Sequence, residues 1–197
     1  MAIESPTCGD ASRLPAATAA ESQLQQGMAA RVVIERIVCG GQTGADRAAL
    51  NWAISHGVPH GGWCPAGRIA EDGVIPARYQ LTEAPDGGGY RQRTEANMRD
   101  SHAPLILSIA PELTGGSHET LLFARWLAKP WLHLHPGMEW RSALRAWIDA
   151  NAISTLNVAG PRASEAPDIG SFTVEVLDAL VDMAAIRHAG QQPPVRS

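Results

Sequence analysis

The chain has 197 residues, of which 45% are hydrophobic and 18% are charged, and its formal net charge at pH 7 is −4. This length suffices for one domain with a substantial core, and the composition excludes a chain that is disordered throughout. The acidic balance argues against a protein that grips the phosphate backbone of a nucleic acid, because such proteins carry a basic patch. No apolar run approaches the roughly 18 residues of a membrane span. Three cysteines without metal-type spacing predict a reduced, cytoplasmic protein.

The predicted domain occupies residues 31–188. Residues 1–30 are rich in Ala, Ser and Gln without apolar periodicity, which predicts a disordered N-terminal extension. They also lack the basic and apolar segments of a secretory signal. Residues 189–197 carry prolines and polar groups, and we expect them to form a flexible tail. The sequence therefore predicts a single domain between two tails.

Strand-like and helix-like patterns alternate along the predicted domain. Strands are expected at 34–39, 61–64, 78–82, 104–109, 131–135 and 155–159. Helices are expected at 45–56, 91–101, 118–128, 139–150 and 171–187. This alternation predicts an α/β fold with a mostly parallel sheet and helices on both of its faces.

A glycine-rich loop follows the first predicted strand. Gly40, Gly41 and Gly44 allow sharp turns and a close approach of the backbone to a ligand, and the next helix offers N–H groups and a partial positive charge to a phosphate. The spacing fits neither a P-loop, which needs Lys and then Ser or Thr after the last glycine, nor the dinucleotide pattern G-x-G-x-x-G. The alternative is a strand–helix turn without a ligand, with Thr43 as N-cap and Asp46 as the acid of a capping box.

Three helices carry apolar residues at helical spacing, which predicts that they pack against the sheet. The stripes are Leu122, Phe123, Trp126 and Leu127; Trp140, Leu144, Trp147 and Ile148; and Val176, Leu177, Leu180, Val181 and Ala184. An aromatic-rich binding surface is the alternative interpretation of the tryptophans, but the periodicity favours packing.

The predicted helix at 91–101 offers little apolar surface. Arg93, Asn97 and Asp100 share one of its faces. Taken alone, this composition favours a solvated helix with an Arg–Asp pair on its surface. The alternative is that this face forms the wall of a polar cavity.

Three further loops follow predicted strands at their carboxyl ends. They span residues 63–73, 114–120 and 160–165, and they contain glycines that lead into a helix, arginines and several hydroxyl groups. The carboxyl ends of parallel strands meet at one edge of a sheet, so these loops and the loop at 40–46 should converge. Because arginine can bind phosphate bidentately, we expect an anion-binding pocket at this edge.

The motifs resemble those of the putative molybdenum carrier family. The resembling segments are GGQTGADR at 40–47, GGWCPAGR at 61–68, EDG at 71–73, RTEANMRDS at 93–101, TGG at 114–116 and LNVAGPR at 156–162. The similarity runs from about residue 34 to 180, and the family is related to LOG and DprA-type Rossmann proteins. The resemblance implies a Rossmann-like sheet and a pocket for the molybdenum cofactor (molybdopterin), another phosphorylated pterin or a nucleotide. We accordingly expect a cytoplasmic carrier of a small phosphorylated molecule that forms a homo-oligomer, with no nucleic-acid or membrane partner and no protein-ligated metal.

The related LOG proteins supply an alternative function. They hydrolyse the N-glycosidic bond of nucleoside monophosphates with an Arg and with the Glu of a P-G-G-x-G-T-x-x-E motif. Laid on residues 115–122, this motif places Leu122 where its Glu should be. Glu119 lies one turn earlier and would be catalytic only under this alternative. Because the cleavage needs a carboxylate that stabilises the developing positive charge or orients water, the missing acid favours binding over turnover.

The predicted site combines the loops with the helix at 91–101. The glycines, Thr43 and Ser117 would donate hydrogen bonds, three arginines would offset the charge of a phosphate, and Trp63 would stack on a ring or pack in the core. The binding residues predicted in this way are Gly40, Gly41, Gln42, Thr43, Gly44, Asp46, Trp63, Arg68, Arg93, Gly115, Gly116, Ser117 and Arg162.

Overall fold

The structure, a computed structural model, describes residues 34–85 and 89–189, with side chains up to residue 181. Its strands are β1 Arg36–Val38, β2 His60–Gly61, β3 Trp63–Cys64, β4 Ile69–Ala70, β5 Gly73–Val74, β6 Thr82–Glu83, β7 Ala103–Leu107, β8 Leu132–Leu134 and β9 Thr155–Ala159. Its helices are α1 Ala45–Ser55, α2 Tyr90–Arg99, α3 Gly115–Trp126, α4 Trp140–Ala150 and α5 Ile169–Ala189. None of these described helices has the length and apolar character of a membrane span. The expectation for residues 1–30 lies outside the described residues, as does that for the tail at 189–197 except for residue 189, which is the last residue of α5.

A five-stranded sheet lies at the centre of the described chain. Its strand order is β2-β1-β9-β7-β8, and each neighbouring pair runs parallel. All residues of β7 are buried. Because alternate residues of a strand point to opposite faces, both faces of the sheet are covered at β7. This arrangement confirms the predicted α/β, Rossmann-like fold.

The strand predicted at 61–64 is in fact two strands in different sheets. β2 belongs to the central sheet, whereas β3 pairs with β6 in a separate two-stranded sheet. Gly62 lies between them with φ of +126°, and a Cβ at this position would lie 2.3 Å from the carbonyl oxygen of Cys39. Only glycine fits such a turn. The chain therefore leaves the central sheet directly after β2.

The largest hydrophobic cluster joins the central sheet to α1, α4 and α5. The stripe predicted for α4 is confirmed, since all four of its members are buried: Trp140, Leu144, Trp147 and Ile148. In α5, Val176, Leu177 and Leu180 are buried, whereas Val181 is 44% exposed. Ala184 lies beyond the described side chains. A second cluster, which includes Cys39 and Cys64, joins β1 to the segment that follows β2.

The stripe predicted for α3 is wrong in part. Phe123 is buried, but Leu122 is 49% exposed and Trp126 is 70% exposed. The buried face of the helix also carries the polar residues Ser117 and Thr120. The helix is therefore turned so that small polar side chains face inward, and two of its large apolar side chains remain on the outside.

Candidate functional site

A small polar cavity lies at the carboxyl ends of β1 and β9, beside α2 and α3. Its volume is about 50 Å³, and it is lined by Gly40, Asp46, Arg93, Thr94, Asn97, Gly116, Thr120, Asn157, Val158, Ala159 and Gly160. The glycine loop at 40–46, the loop at 114–120 and the end of β9 thus converge here, as parallel strands dictate. The face of α2 that carries Arg93 and Asn97 is a wall of this cavity, so the solvated-helix interpretation is wrong for these two residues.

The carboxylate of Asp46 belongs to the lining of this cavity. Its Oδ2 accepts hydrogen bonds from the backbone N–H groups of Gly40 (3.1 Å) and Gln42 (3.2 Å) and from Nη1 of Arg93 (3.2 Å). The side chains of Asp46 and Arg93 are 7% and 15% exposed. Burial raises the pKa of Asp46 above its usual value, and the Arg93 guanidinium acts in the opposite direction. A buried ion pair therefore joins α1 to α2.

Several backbone donors of the glycine loop are already used within the chain. Gly40 and Gln42 donate to Asp46, the N–H of Thr43 donates to Oε1 of Gln42 (3.0 Å), and that of Ala45 donates to the carbonyl of Pro161 (3.3 Å). A carboxylate of the protein itself thus occupies the position where a ligand phosphate was expected. The capping-box interpretation is also wrong, because the N-cap of α1 is the residue after Thr43 and no side chain caps it.

A second polar contact, centred on Glu71, ties three of the predicted loops together. Glu71 accepts hydrogen bonds from the hydroxyl groups of Thr43 and Ser164, and Arg162 lies 3.9 Å from its carboxylate. Hydrogen bonds from Ser164 and then Thr43 lower the pKa of Glu71. Oγ1 of Thr43 also accepts the backbone N–H of Ala163 (3.1 Å). The hydrogen bonds to Glu71 therefore join the loops whose convergence the sequence predicted.

Two buried donors of the predicted site have no acceptor among the described residues. They are Nε of Arg93 and Nε2 of Gln42. An unsatisfied buried donor costs about 1–3 kcal/mol of stability, because the group has lost its hydrogen bonds to water. A bound molecule that offers an acceptor would recover part of this free energy.

The first turn of α3 separates the small cavity from a larger one. Gly116 lines the small cavity, while Thr114 and Ser117 line a neighbouring cavity of about 400 Å³. The N-cap Thr114 makes no side-chain capping hydrogen bond, so the first N–H groups of the helix remain for another acceptor. Gly115 has φ of +51°. This turn is the best-placed anion-binding element of the described residues, since it combines these donors with the positive end of the helix dipole.

The remaining predicted cations and Trp63 are held elsewhere. Arg68 directs its guanidinium to four backbone carbonyls, those of Ile75, Pro76, Tyr79 and Leu81. Arg162 is 39% exposed and pairs with Glu165 (3.2 Å). Trp63 donates its indole N–H to Asp100 (2.7 Å), and its backbone is bound by Asn97. The structure therefore gathers Gly40, Asp46, Arg93 and Gly116 around one cavity, with Gly41 to Gly44 in the loop beside them. Arg68, Arg162 and Trp63 are not among the residues that line this cavity.

Comparisons with known proteins agree with this architecture. A model of the circularly permutated YpsA SLOG family matches residues 37–181. The chain belongs to this family. A solved structure named "Putative molybdenum carrier protein", from Syntrophus aciditrophicus SB, has 45% sequence identity and a TM-score of 0.70, and the similarity covers 74% of this chain and 94% of that chain. The comparison with curated proteins yields no match.

The matched region contains all loops of the candidate site. Residues 37–181 include the glycine loop, the first turn of α3 and the segment that follows β9. The resemblance to the molybdenum carrier family is therefore confirmed. Among the described residues, no group of three or more His, Cys, Asp or Glu side chains is arranged to hold a metal ion.

Several lining residues were missed by the sequence prediction. Thr94 and Thr120 contribute to the cavity from α2 and α3, and Asn157 contributes from β9. Asn157 is buried in the middle of an otherwise apolar strand, which is a detectable signal because buried polar side chains are uncommon. The two threonines give no such signal, because threonine is common on exposed helix faces.

Glu119, the catalytic candidate of the hydrolase alternative, lies outside this cavity. It is exposed and lines a different cavity with Arg91, Leu122 and Trp126, on the outer side of α3. Thr120, its neighbour in sequence, is the residue that faces the candidate site. The position of Glu119 therefore does not favour hydrolysis at the site.

Proposed function

We propose that the protein binds a phosphorylated small molecule at the first turn of α3. The phosphate would lie against the N–H groups of Gly116 and Ser117, near the buried cation of Arg93. The observation that carries this proposal is the meeting of two cavities at a helix N-terminus without a side-chain cap. The N–H groups of this turn suit a phosphate group, and the larger cavity suits the organic part of the ligand.

The larger cavity offers both apolar and hydrogen-bonding surface to a ring. Ile109, Leu113 and Ala166 are among its apolar residues, and Glu112 and Asp168 supply carboxylates that can accept N–H groups. A volume of about 400 Å³ is within the range of small-molecule sites. These features support a pterin or purine ring with amino groups, and the name of the Syntrophus protein supports the molybdenum cofactor as the cargo. We propose a cofactor carrier that holds this cargo by its phosphate and its ring.

A substitution at Gly116 is expected to weaken binding of the phosphate without destabilising the fold. A Cβ at Gly116 meets nothing within 4 Å, so we expect Gly116→Asp to fold. An acidic side chain in the first turn of a helix adds about 0.3–1 kcal/mol of stability, yet it competes with a phosphate for the same N–H groups. The Kd for guanosine 5′-monophosphate, measured by titration calorimetry, is expected to rise at least about tenfold. The melting temperature should stay the same or increase.

The matched control is Gly116→Asn, which has nearly the same volume and no charge. It should retain more affinity than Gly116→Asp, and guanosine without its phosphate should bind both variants equally. Binding of the molybdenum cofactor by Gly116→Asp and Gly116→Asn can be compared as well. The measurement is the pterin fluorescence of each protein after purification from a host that makes this cofactor. Equal phosphate-dependent affinity in the wild type and Gly116→Asp would place the phosphate elsewhere.

We also expect binding without turnover. The carboxylate that lines the smaller cavity, that of Asp46, is already bonded to two N–H groups and to Arg93, so it is not available there to a sugar or to water. Incubation with a panel of nucleoside monophosphates, followed by chromatography, should show no release of free base. Release over many turnovers that is abolished by Asp46→Asn or Glu119→Ala would establish the hydrolase alternative instead.

A further inference from the structure

One buried side chain of the small cavity, that of Asn157, is not used by the fold. Asn157 lies in the middle of β9 and is 3% exposed. Its carboxamide makes no hydrogen bond to any residue that the structure describes. A buried amide without a partner destabilises a protein, because it has lost its hydrogen bonds to water. Asn157 therefore points to an occupant of the cavity that it lines.

Most other polar side chains of the lining already use their donors. Thr94 and Thr120 donate their hydroxyl protons to carbonyl groups four positions earlier on their own helices, at 2.8 Å and 2.9 Å. Asn97 binds the backbone of β3 through both ends of its carboxamide, at 2.7 Å and 2.9 Å. Among the described residues, the lining side chains that keep an unused N–H donor are therefore those of Asn157 and Arg93.

The guanidinium of Arg93 is held so that its Nε remains unused. It lies against Gly40, where a Cβ would be only 1.0 Å from Nη1 and 2.2 Å from Cζ, so a residue without a side chain is required there. Nη1 donates to Asp46 (3.2 Å), whereas Nε has no acceptor among the described residues. Because Arg93 offsets the charge of Asp46, an anion that enters the cavity meets a paired carboxylate and an unused donor.

The size of the small cavity limits what can enter it. Its volume is about 50 Å³, and one molecule of water takes up about 30 Å³ in the liquid. Each oxygen of a phosphate is similar in size to a water molecule, so the whole group does not fit, whereas one oxygen does. Gly116, in the first turn of α3, also lines this cavity. A phosphate bound at that turn can therefore place one oxygen inside it.

We propose that Asn157 is a phosphate-binding residue, whose side-chain N–H donates, together with Nε of Arg93, to one unsubstituted phosphate oxygen in the small cavity. This inference rests on the proposed function, because it places the rest of the phosphate at the first turn of α3. The donors of α3 and those behind it bind different oxygens of the same group. Hydrogen bonds to a charged oxygen are stronger than those between neutral groups, so the two buried donors contribute to affinity.

Asn157→Leu tests this role, because it replaces the carboxamide by an apolar group with the same branching. The Kd for guanosine 5′-monophosphate, measured by titration calorimetry, is expected to rise at least about tenfold. The Kd for guanosine, which has no phosphate, should not change. The melting temperature should stay the same or increase, because the variant removes a buried amide without a partner.

Two further variants accompany this test. Asn157→Ala leaves room for a water molecule in place of the carboxamide, so it should fold even if leucine does not fit, and it should weaken binding of the nucleotide less than Asn157→Leu. Asn97→Leu removes a carboxamide of the same cavity that holds the backbone of β3, and it should lower the melting temperature. Opposite changes in the stability of Asn157→Leu and Asn97→Leu would support the assignment of Asn157 to the ligand.

The side-chain amide signals of Asn157 report the contact directly. In ¹H–¹⁵N spectra of the full-length protein, these signals are identified by their absence in Asn157→Ala. Inorganic phosphate and guanosine 5′-monophosphate should shift them, whereas guanosine should not. Unchanged signals in protein saturated with the nucleotide would mean that the cavity holds an ordered water only, and the proposal would be wrong.

The result for Gly116→Asp distinguishes this inference from the proposed function. If that variant weakens phosphate-dependent binding and neither variant of Asn157 does, the ligand is bound at α3 and the role proposed for Asn157 is wrong. If none of these variants weakens it, or if the wild type binds neither the nucleotide nor inorganic phosphate, the proposed function and this inference both fail.

Discussion

Arg93→Met is expected to remove about 3–5 kcal/mol from the free energy of unfolding, because it leaves the buried carboxylate of Asp46 without its cation. The two side chains are 15% and 7% exposed, and 3.2 Å separates Nη1 from Oδ2. Methionine replaces the aliphatic part of Arg93, so the effect reports the lost charge more than lost packing. Urea denaturation followed by circular dichroism, at one fixed protein concentration, gives the comparison with the wild type.

The control for this prediction lies on the same helix. Arg99 pairs with Asp100 at 2.7 Å, but its side chain is 65% exposed, so Arg99→Met should stay close to the wild type. The double variant Asp46→Asn with Arg93→Met removes both charges and should be more stable than Arg93→Met alone. If Arg93→Met and Arg99→Met were equally stable, the buried pair would not be the link between α1 and α2 that the geometry indicates.

The same pair predicts a pH dependence with a definite sign. Burial raises the pKa of Asp46 above its usual value of 3.8, so the folded protein holds this proton more tightly than the unfolded chain does. The wild type should therefore lose stability relative to Asp46→Asn as the pH rises from about 3.8 through the folded pKa. In an Arg93→Met background this loss should be larger, because the cation that opposes the shift is gone.

The sequence was sufficient to predict most elements and the place where they meet. The strand predicted at 155–159 has the same bounds in the structure, because it stands between a polar segment and the Gly160–Pro161 pair. The convergence of the loops follows from topology alone, since parallel strands present their carboxyl ends at one edge. β1 is shorter than predicted at both ends, and β7 begins one residue earlier and ends two residues earlier than predicted.

What the sequence could not show is which groups of the site are already used. The acceptor of the Gly40 and Gln42 donors is a side chain of α1, and its cation, Arg93, comes 47 positions later in the chain. No local pattern relates these residues. Arg68 is similar, since its acceptors are carbonyls of the irregular segment at 75–81. A motif identifies residues near a ligand, but contacts between distant segments decide which donors remain free for it.

The apolar pattern of the sequence also did not predict which face of α3 is buried. Its apolar residues have helical spacing, which favours packing against the sheet. Two features of the tertiary structure turn the helix differently: Thr120 faces the polar cavity, and Phe123 packs with Met98 of α2. Periodicity gives the spacing of an apolar face, and it does not say whether that face is covered by the rest of the chain or remains exposed.

Gly44→Ala is expected to cost about 3 kcal/mol or more in unfolding free energy, from backbone strain and from a steric clash. Gly44 has φ of 76° and ψ of −127°, a conformation that L residues with a Cβ rarely adopt. A Cβ there would lie 2.4 Å from the carbonyl oxygen of Pro161 and 2.8 Å from the backbone N of Ala163. Both atoms belong to the backbone, so the clash can be relieved only by moving the loop at 160–165 away from the glycine loop.

The matched control is Gly57→Ala, just after α1. Gly57 also has a positive φ, +64°, but a Cβ there meets nothing within 4 Å, so this variant should lose only about 1–2 kcal/mol from backbone strain. The difference between the two variants in urea denaturation measures the clash between the loops. Because movement of these loops would also break the Thr43–Ala163 hydrogen bond, the amide of Ala163 should exchange with deuterium faster in Gly44→Ala than in Gly57→Ala. Equal stability and equal exchange in the two variants would show that Gly44 is needed only for the backbone conformation of its own turn. It would then not be needed for the close approach of the two loops.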